Sequence, residues 1–226
     1  MSGDTSYDSH CHSQGPTEWG HPGHTVGVGP WQGAWPDDPR YDPELLCDGD
    51  RRNVVDTYRY WRRDAVVADI DGRRHPLHVA IENFDHDHNI GTVVRTANAF
   101  AAAEVHIIGR RRWNRRGAMV TDRYQHLRHH AGVAGLLEYA AAAGLTVVAV
   151  DNSPGAQRLE TASLPLRCLL LFGQEGPGLT AQARDGAALT VSIAQFGSTR
   201  SINAGVAAGI AMHAWIRQHA DLTQAW

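Results

Sequence analysis

From Leu77 onward the chain alternates short apolar runs with helical patterns, and this alternation limits the available folds more than any other feature. Runs at Leu77–Ile81, Val105–Ile108, Leu145–Val150, Cys168–Phe172 and Leu189–Ile193 read as strands. Helical spacing marks Ile90–Phe100, Val133–Ala143, a short segment near Thr180–Ala187, and a long small-residue helix from Ser201 to His219. Strands that alternate with helices predict an α/β fold with a mostly parallel sheet. In such a sheet ligands collect beyond the carboxyl ends of the strands, so the loops after strands are the places to search.

At 226 residues the expectation is one domain with an appendage. Residues 1–50 hold nine acidic residues against one arginine, net −8, which leaves +5 for residues 51–226. That first stretch is rich in Gly, Pro, His, Ser and Asp and is expected to be a disordered or extended acidic arm. Within it, His10, Cys11, His12, His21 and His24 match no standard zinc spacing, so no metal is expected. Trp31 and Trp35, set among prolines in Gly29–Pro36, are costly to leave in water and should dock on the body, a partner subunit or nucleic acid. Residues 51–75 read as a helical linker, with a helix over Arg51–Arg63, and 76–226 as the main domain.

No apolar run approaches the ~20 residues that span a bilayer, which argues against a membrane partner. The N-terminus lacks a secretory pattern, and the three cysteines, Cys11, Cys47 and Cys168, are odd in number and widely spaced. Together these predict a cytoplasmic protein without a disulfide framework. All 21 cationic residues are arginine, whose planar fork suits phosphate.

Three loops carry the chemistry. The first runs from Glu82 to Asn98 and includes Asn89-Ile90-Gly91 and Arg95-Thr96. Ile90, Val93, Val94 and Ala97 form a buried helical stripe, Asn89 sits where an N-cap would, and Arg95 lies off the stripe. The second is Gly173-Gln174-Glu175-Gly176-Pro177-Gly178, whose glycines permit unusual backbone angles and close approach of a ligand. It is not the dinucleotide fingerprint. The third contains Gly197 and Ser201-Ile202-Asn203 before an Ala/Gly-rich helix, with Ser201 expected as its cap and Asn203 in its first turn. Separately, Arg110, Arg111, Arg112, Arg115 and Arg116 surround Trp113, a mixture suited to phosphate contact and base stacking.

The three loops, in this order and each after a strand, resemble the SpoU-TrmH branch of the SPOUT superfamily of RNA methyltransferases. The resemblance covers roughly Leu77 to His219. It departs at Gln174, where the family usually has Asn, and at Ala194, where a proline commonly follows the strand. The resemblance implies a sheet whose C-terminal segment threads a trefoil knot, a homodimer, and S-adenosylmethionine bound in the knot. It implies cofactor contacts from Leu171, Phe172, Gly173, Gln174, Gly176, Gly178, Ile193 and Ile202, with Asn89, Arg95, Glu175, Ser201 and Asn203 in the catalytic region. The implied reaction is methyl transfer to a ribose 2′-hydroxyl of tRNA or rRNA, with the arginine-rich loop as an RNA contact. The family assigns Arg95's counterpart as the base. A guanidinium pKa above ~12 leaves almost no neutral form, so a clamp on the developing alkoxide and a phosphate is an equally physical reading, and both stay open here. Two other functions stay open at this point: an inactive RNA-binding or assembly protein on the same fold, and a nucleotide-dependent enzyme on an ordinary open sheet.

Overall fold

The structure, a computed structural model, describes residues 27–85, 87 and 89–224. The chain divides into two compact units, Met1–Asp69 and Ile70–Trp226.

In the first unit Val28 and Asp50 pair as an antiparallel bridge, as do Tyr41 and Trp61. A short helix, α1 (Pro43–Asp48), is capped by the Asp42 carboxylate, which accepts from Glu44 N. The stretch 27–50 thus holds local structure, not an arm extended throughout. Trp31 stands edge-on to Tyr41 and Tyr60 at 5.9 and 5.3 Å, so one of the two tryptophans docks within its own unit while Trp35 stays exposed. The helix expected over Arg51–Arg63 does not form. Asp56–Tyr58 makes a single 3-10 turn, and the helix begins only at α2 (Arg63–Asp71). The reason is Asp50: fully buried, it accepts from the Tyr60 amide and is bridged by Arg52, which turns the chain back before a helix can run. Burial raises the Asp50 pKa, but the Arg52 guanidinium and backbone donors outweigh it and hold the carboxyl below its ordinary value. Against the expectation of no disulfide framework, Cys47 is disulfide-bonded. The His/Cys tract at His10–His24 lies outside the described residues.

The second unit is a seven-stranded sheet with every neighbouring pair parallel. In chain order its elements are β1 (His75–Asn83), α3 (Ile90–Ala99), β2 (Ala102–Gly109), β3 (Leu127–His130), α4 (Val133–Ala142), β4 (Thr146–Val150), β5 (Gln157–Arg158), β6 (Cys168–Phe172), α5 (Ala181–Asp185), β7 (Leu189–Ser192) and α6 (Ala204–His219). Across the sheet the order is β3-β2-β1-β6-β4-β7-β5. Odd-numbered residues of β1 and β2, such as Leu77, Val79, Val105 and Ile107, pack with Ile90, Val93 and Val94 of α3 and Met212 and Trp215 of α6. Ala80 and Ile108 face the other way, toward Leu136 of α4 and Ala183 of α5. Both faces are therefore covered, as a parallel sheet requires. Cys168 is free and buried in the core, which pushes its thiol up to about 12 and leaves it inert.

Two strands escaped the sequence pattern. β3 reads Leu-Arg-His-His, and β5 has only two residues.

Glu82 is a buried carboxylate at the end of β1 that accepts from Thr180 N at 2.9 Å and Thr180 Oγ1 at 2.6 Å, pinning the start of α5. Burial raises its pKa, and the Thr180 donors only partly offset this. A raised native pKa means the folded state holds the proton more tightly than the unfolded chain. This group's contribution therefore falls as pH rises from the ordinary carboxylate range through the native pKa. Glu82→Gln should remove that fall. In urea unfolding at pH 4 to 8, the variant-minus-wild-type stability is expected to grow with pH; a flat difference would disprove the assignment.

Candidate active site

The carboxyl ends of β1, β6 and β7 bring the three loops together. Gln174 is buried, and its Oε1 accepts from Phe84 N at 3.1 Å and Asp85 N at 2.7 Å, tying the second loop to the first. Gln174→Ala leaves two amides without their acceptor and should lower unfolding free energy by about 1–3 kcal/mol, read from chemical denaturation.

Each loop gives one residue to a closed polar ring. Asn203 caps α6: its Oδ1 accepts from Gly205 N and Val206 N, which fixes its amide outward. Asn203 Nδ2 then donates to Asn89 Oδ1 and to Glu175 Oε1, each at 2.9 Å. Asn89 Nδ2 donates to Glu175 Oε2 at 3.1 Å. Two sequence expectations are corrected here. Asn203, not Ser201, is the cap, and α6 starts at Ala204 rather than Ser201, because the side chain at 203 is the one that reaches the amides of 205 and 206. Asn89 does occupy the N-cap position of α3, but its side chain makes no capping bond, since its amide is committed to Glu175 and Asn203.

Beside the ring lies a cavity of about 130 Å³. Of the expected residues, Phe172, Gly173, Gln174, Glu175, Gly176, Gly178, Ile193, Ser201 and Ile202 line it. Leu171 does not: it is fully buried with the α4 side of the core. Val150, Asp151, Asn152, Leu179 and Gln195 are also part of the lining. The sequence reading missed these, although the end of a recognised strand at Val150 marked the first three. A second cavity of about 360 Å³ shares Asn152, Ile193 and Gln195 and is flanked by Arg158 and Arg200. Gln195 Oε1 is buried without a hydrogen-bond partner among the described residues, an acceptor waiting for a donor.

Arg95 is exposed on α3, off the buried stripe and outside the cavity lining. Next to α3, the arginine-rich loop comes very close. A Cβ at Gly91 would stand 2.6 Å from Ala118 N, so only glycine lets the turn at Arg115–Ala118 lie against the helix. Asn83 Nδ2 donates to the carbonyls of Arg110 and Arg112, and Asp87 accepts from Asn114 N at 2.7 Å. Arg110, Arg111, Arg112, Arg115 and Arg116 are exposed. Trp113 differs from an open stacking platform: it is half-buried against the core, with Arg115 lying 5.5 Å over its ring and ion-paired to Asp122.

A family model described as the SpoU rRNA Methylase family matches residues 76–213. The chain belongs to that family. An uncharacterized tRNA/rRNA methyltransferase of Mycolicibacterium vanbaalenii is 30% identical over 197 residues, 80% of this chain, and the match spans 60% of that relative's length. Among solved structures, one described as "Structural insights into the 2-OH methylation of C/U34 on tRNA" is 30% identical with a TM-score of 0.56, over 64% of this chain and 96% of that one. The SpoU methyltransferase AviRb from Streptomyces viridochromogenes, in complex with AdoMet, is 25% identical with a TM-score of 0.57, over 66% of this chain and 60% of that one. The family match and the three loops coincide, since residues 89, 175 and 203 all fall within 76–213. Among the described residues no helix is long and apolar enough to cross a membrane.

Proposed function

We propose that this SpoU-family chain is an RNA methyltransferase that uses S-adenosylmethionine to methylate a ribose 2′-hydroxyl of tRNA or rRNA. The observation that carries the reading is the Asn89–Glu175–Asn203 ring, in which three loops far apart in sequence each supply a polar side chain and Glu175 joins the ring to the cavity lining. The AdoMet complex of AviRb and the tRNA 2-OH methylation described for the other relative support the cofactor and the reaction class.

The residues present fit this cofactor. Phe172, Ile193, Ile202 and Ala207 give an apolar bed, main chain at Gly173 to Gly178 is open to approach, and Gln195 Oε1 has an unused lone pair for an amino group. When bound, S-adenosylmethionine supplies a methyl group already made electrophilic by sulfonium charge. Both oxygens of Glu175 are occupied by amide donors, so Glu175 serves as an anchor that holds Asn89 and Asn203, not as an open base. Arg95, exposed beside the arginine-rich loop, clamps an RNA phosphate and stabilises the charge that develops on the ribose oxygen, while the proton leaves to solvent. Arg110, Arg111, Arg112 and Arg116 hold the RNA backbone, with a salt-sensitive affinity. In this reading the chain after β6 is knotted, the protein is a cytoplasmic homodimer, and Val206 and Ile210, exposed one turn apart on α6, lie in the subunit interface.

Calorimetry with S-adenosylmethionine and NAD, followed by mapping of 2′-O-methylation in total RNA with and without the gene, tests the proposal. The expected result is selective binding of S-adenosylmethionine and the loss of at least one methylated ribose without the gene. Preference for NAD, or an unchanged methylation map, would overturn it.

A further inference from the structure

The face of the sheet under α4 should be aliphatic, because a parallel sheet covered on both sides normally is. Instead it carries a diagonal polar row. His78 on β1 faces His106 on β2, with Nδ1 and Nε2 3.0 Å apart, and His106 Nδ1 lies 2.9 Å from His130 Nε2 on β3. The stagger follows from the register, in which His78 pairs with Glu104 and His106 with Arg128. None of these residues belongs to the site described above.

The row is hydrogen-bonded along its length, and at its His78 end three potential ligand atoms converge. His106 Nε2 meets His78 Nδ1 and, at 3.7 Å, Glu104 Oε2. One ring nitrogen carries at most one proton, so it can serve only one of those two neighbours. A divalent cation would serve all three atoms together. We propose that His78 Nδ1, His106 Nε2 and Glu104 Oε2 form a binding site for a zinc-class divalent cation that clamps β1 to β2.

The geometry supports it. The three atoms lie within 4.8 Å of one another. Ligand atoms around tetrahedral zinc at bonds of about 2.0–2.1 Å stand roughly 3.3 Å apart, and two of the three pairs, at 3.0 and 3.7 Å, bracket that spacing. Two imidazoles and one carboxylate are a donor set suited to zinc, and three protein ligands leave one position for water. The outer contacts are also of the kind that orient metal ligands. His130 meets the far nitrogen of His106, Arg128 Nε donates to Glu104 Oε1 at 3.0 Å, and Tyr139 Oη donates to Glu104 Oε2 at 2.8 Å.

The test uses the full chain, stripped by chelator and titrated with zinc chloride. His78→Phe and Glu104→Gln remove one ligand each from partly buried positions, sparing fully buried His106. Calorimetry should show one zinc equivalent fewer in each variant than in wild type, and zinc should raise the melting temperature of wild type alone. Hydrogen exchange on wild type localises the effect without any variant: zinc should slow exchange in peptides covering 75–83 and 102–109. Equal stoichiometry in all three proteins, as when zinc binds only the histidines of the first 26 residues, would overturn the proposal. So would zinc-independent exchange in β1 and β2, the outcome for a row held by hydrogen bonds alone.

Discussion

Replacing Arg95 by alanine is expected to lower the rate of methyl transfer by about 10²–10³-fold while S-adenosylmethionine affinity stays within about twofold. The two effects separate because Arg95 is exposed on α3 and contributes nothing to the cavity lining. A group that stabilises charge only as it develops acts on kcat, and removal of one such donor commonly costs two to three decades. Loss of a phosphate contact adds a rise in KM for RNA that shrinks with added salt. Arg95→Lys keeps the charge but not the fork, so its rate should fall between alanine and wild type. An exposed position also predicts an unchanged melting temperature, which keeps a folding defect out of the comparison. Single-turnover rates and calorimetry on the same preparations decide the matter. An alanine variant of normal rate, or one that loses the cofactor too, would remove Arg95 from the role of clamp.

The parallel α/β layout was legible because buried strands here are written almost wholly in aliphatic residues. Cys168–Phe172 was recovered to the residue for that reason. β3 was not, since Leu127–His130 carries arginine and two histidines, and its reason for being a strand lies in partners on β2 that the local pattern does not display. The N-cap of α6 was misplaced by two residues, because Ser201 and Asn203 are both good caps in isolation and only the fold decides which reaches the free amides. The residues of the polar ring were named from the sequence one loop at a time. Their mutual bonding could not be read, because Asn89 and Asn203 lie 114 positions apart. The histidine row was invisible for the same reason, its members being 28 and 24 residues apart.

The other large effect is expected at Gly173, where alanine should abolish measurable cofactor binding, a loss of more than about 100-fold, and lower the melting temperature by several degrees. A Cβ on Gly173 would press into the Gly178–Leu179 peptide bond, with the Gly178 carbonyl oxygen at 2.6 Å. The obstacle is backbone, so no rotamer change relieves it. The second loop doubles back on itself, Gln174 and Gly178 being bridged, and its exit is fastened by Thr180 to Glu82. With both ends held, the clash must open the loop, which displaces Gln174 and Glu175 and with them the polar ring. Forced overpacking of this kind costs about 1–3 kcal/mol or more. Gly176→Ala provides the contrast. Gly176 has φ +91° but nothing within 4 Å of where an added methyl would stand, so the variant bears local backbone strain without a collision. Cofactor affinity should therefore fall far more in the first variant than in the second. If the two lose affinity equally, the loop is limited by its dihedral angles and not by contact with its own returning strand, and the tight doubling-back assigned to this cofactor loop would be wrong.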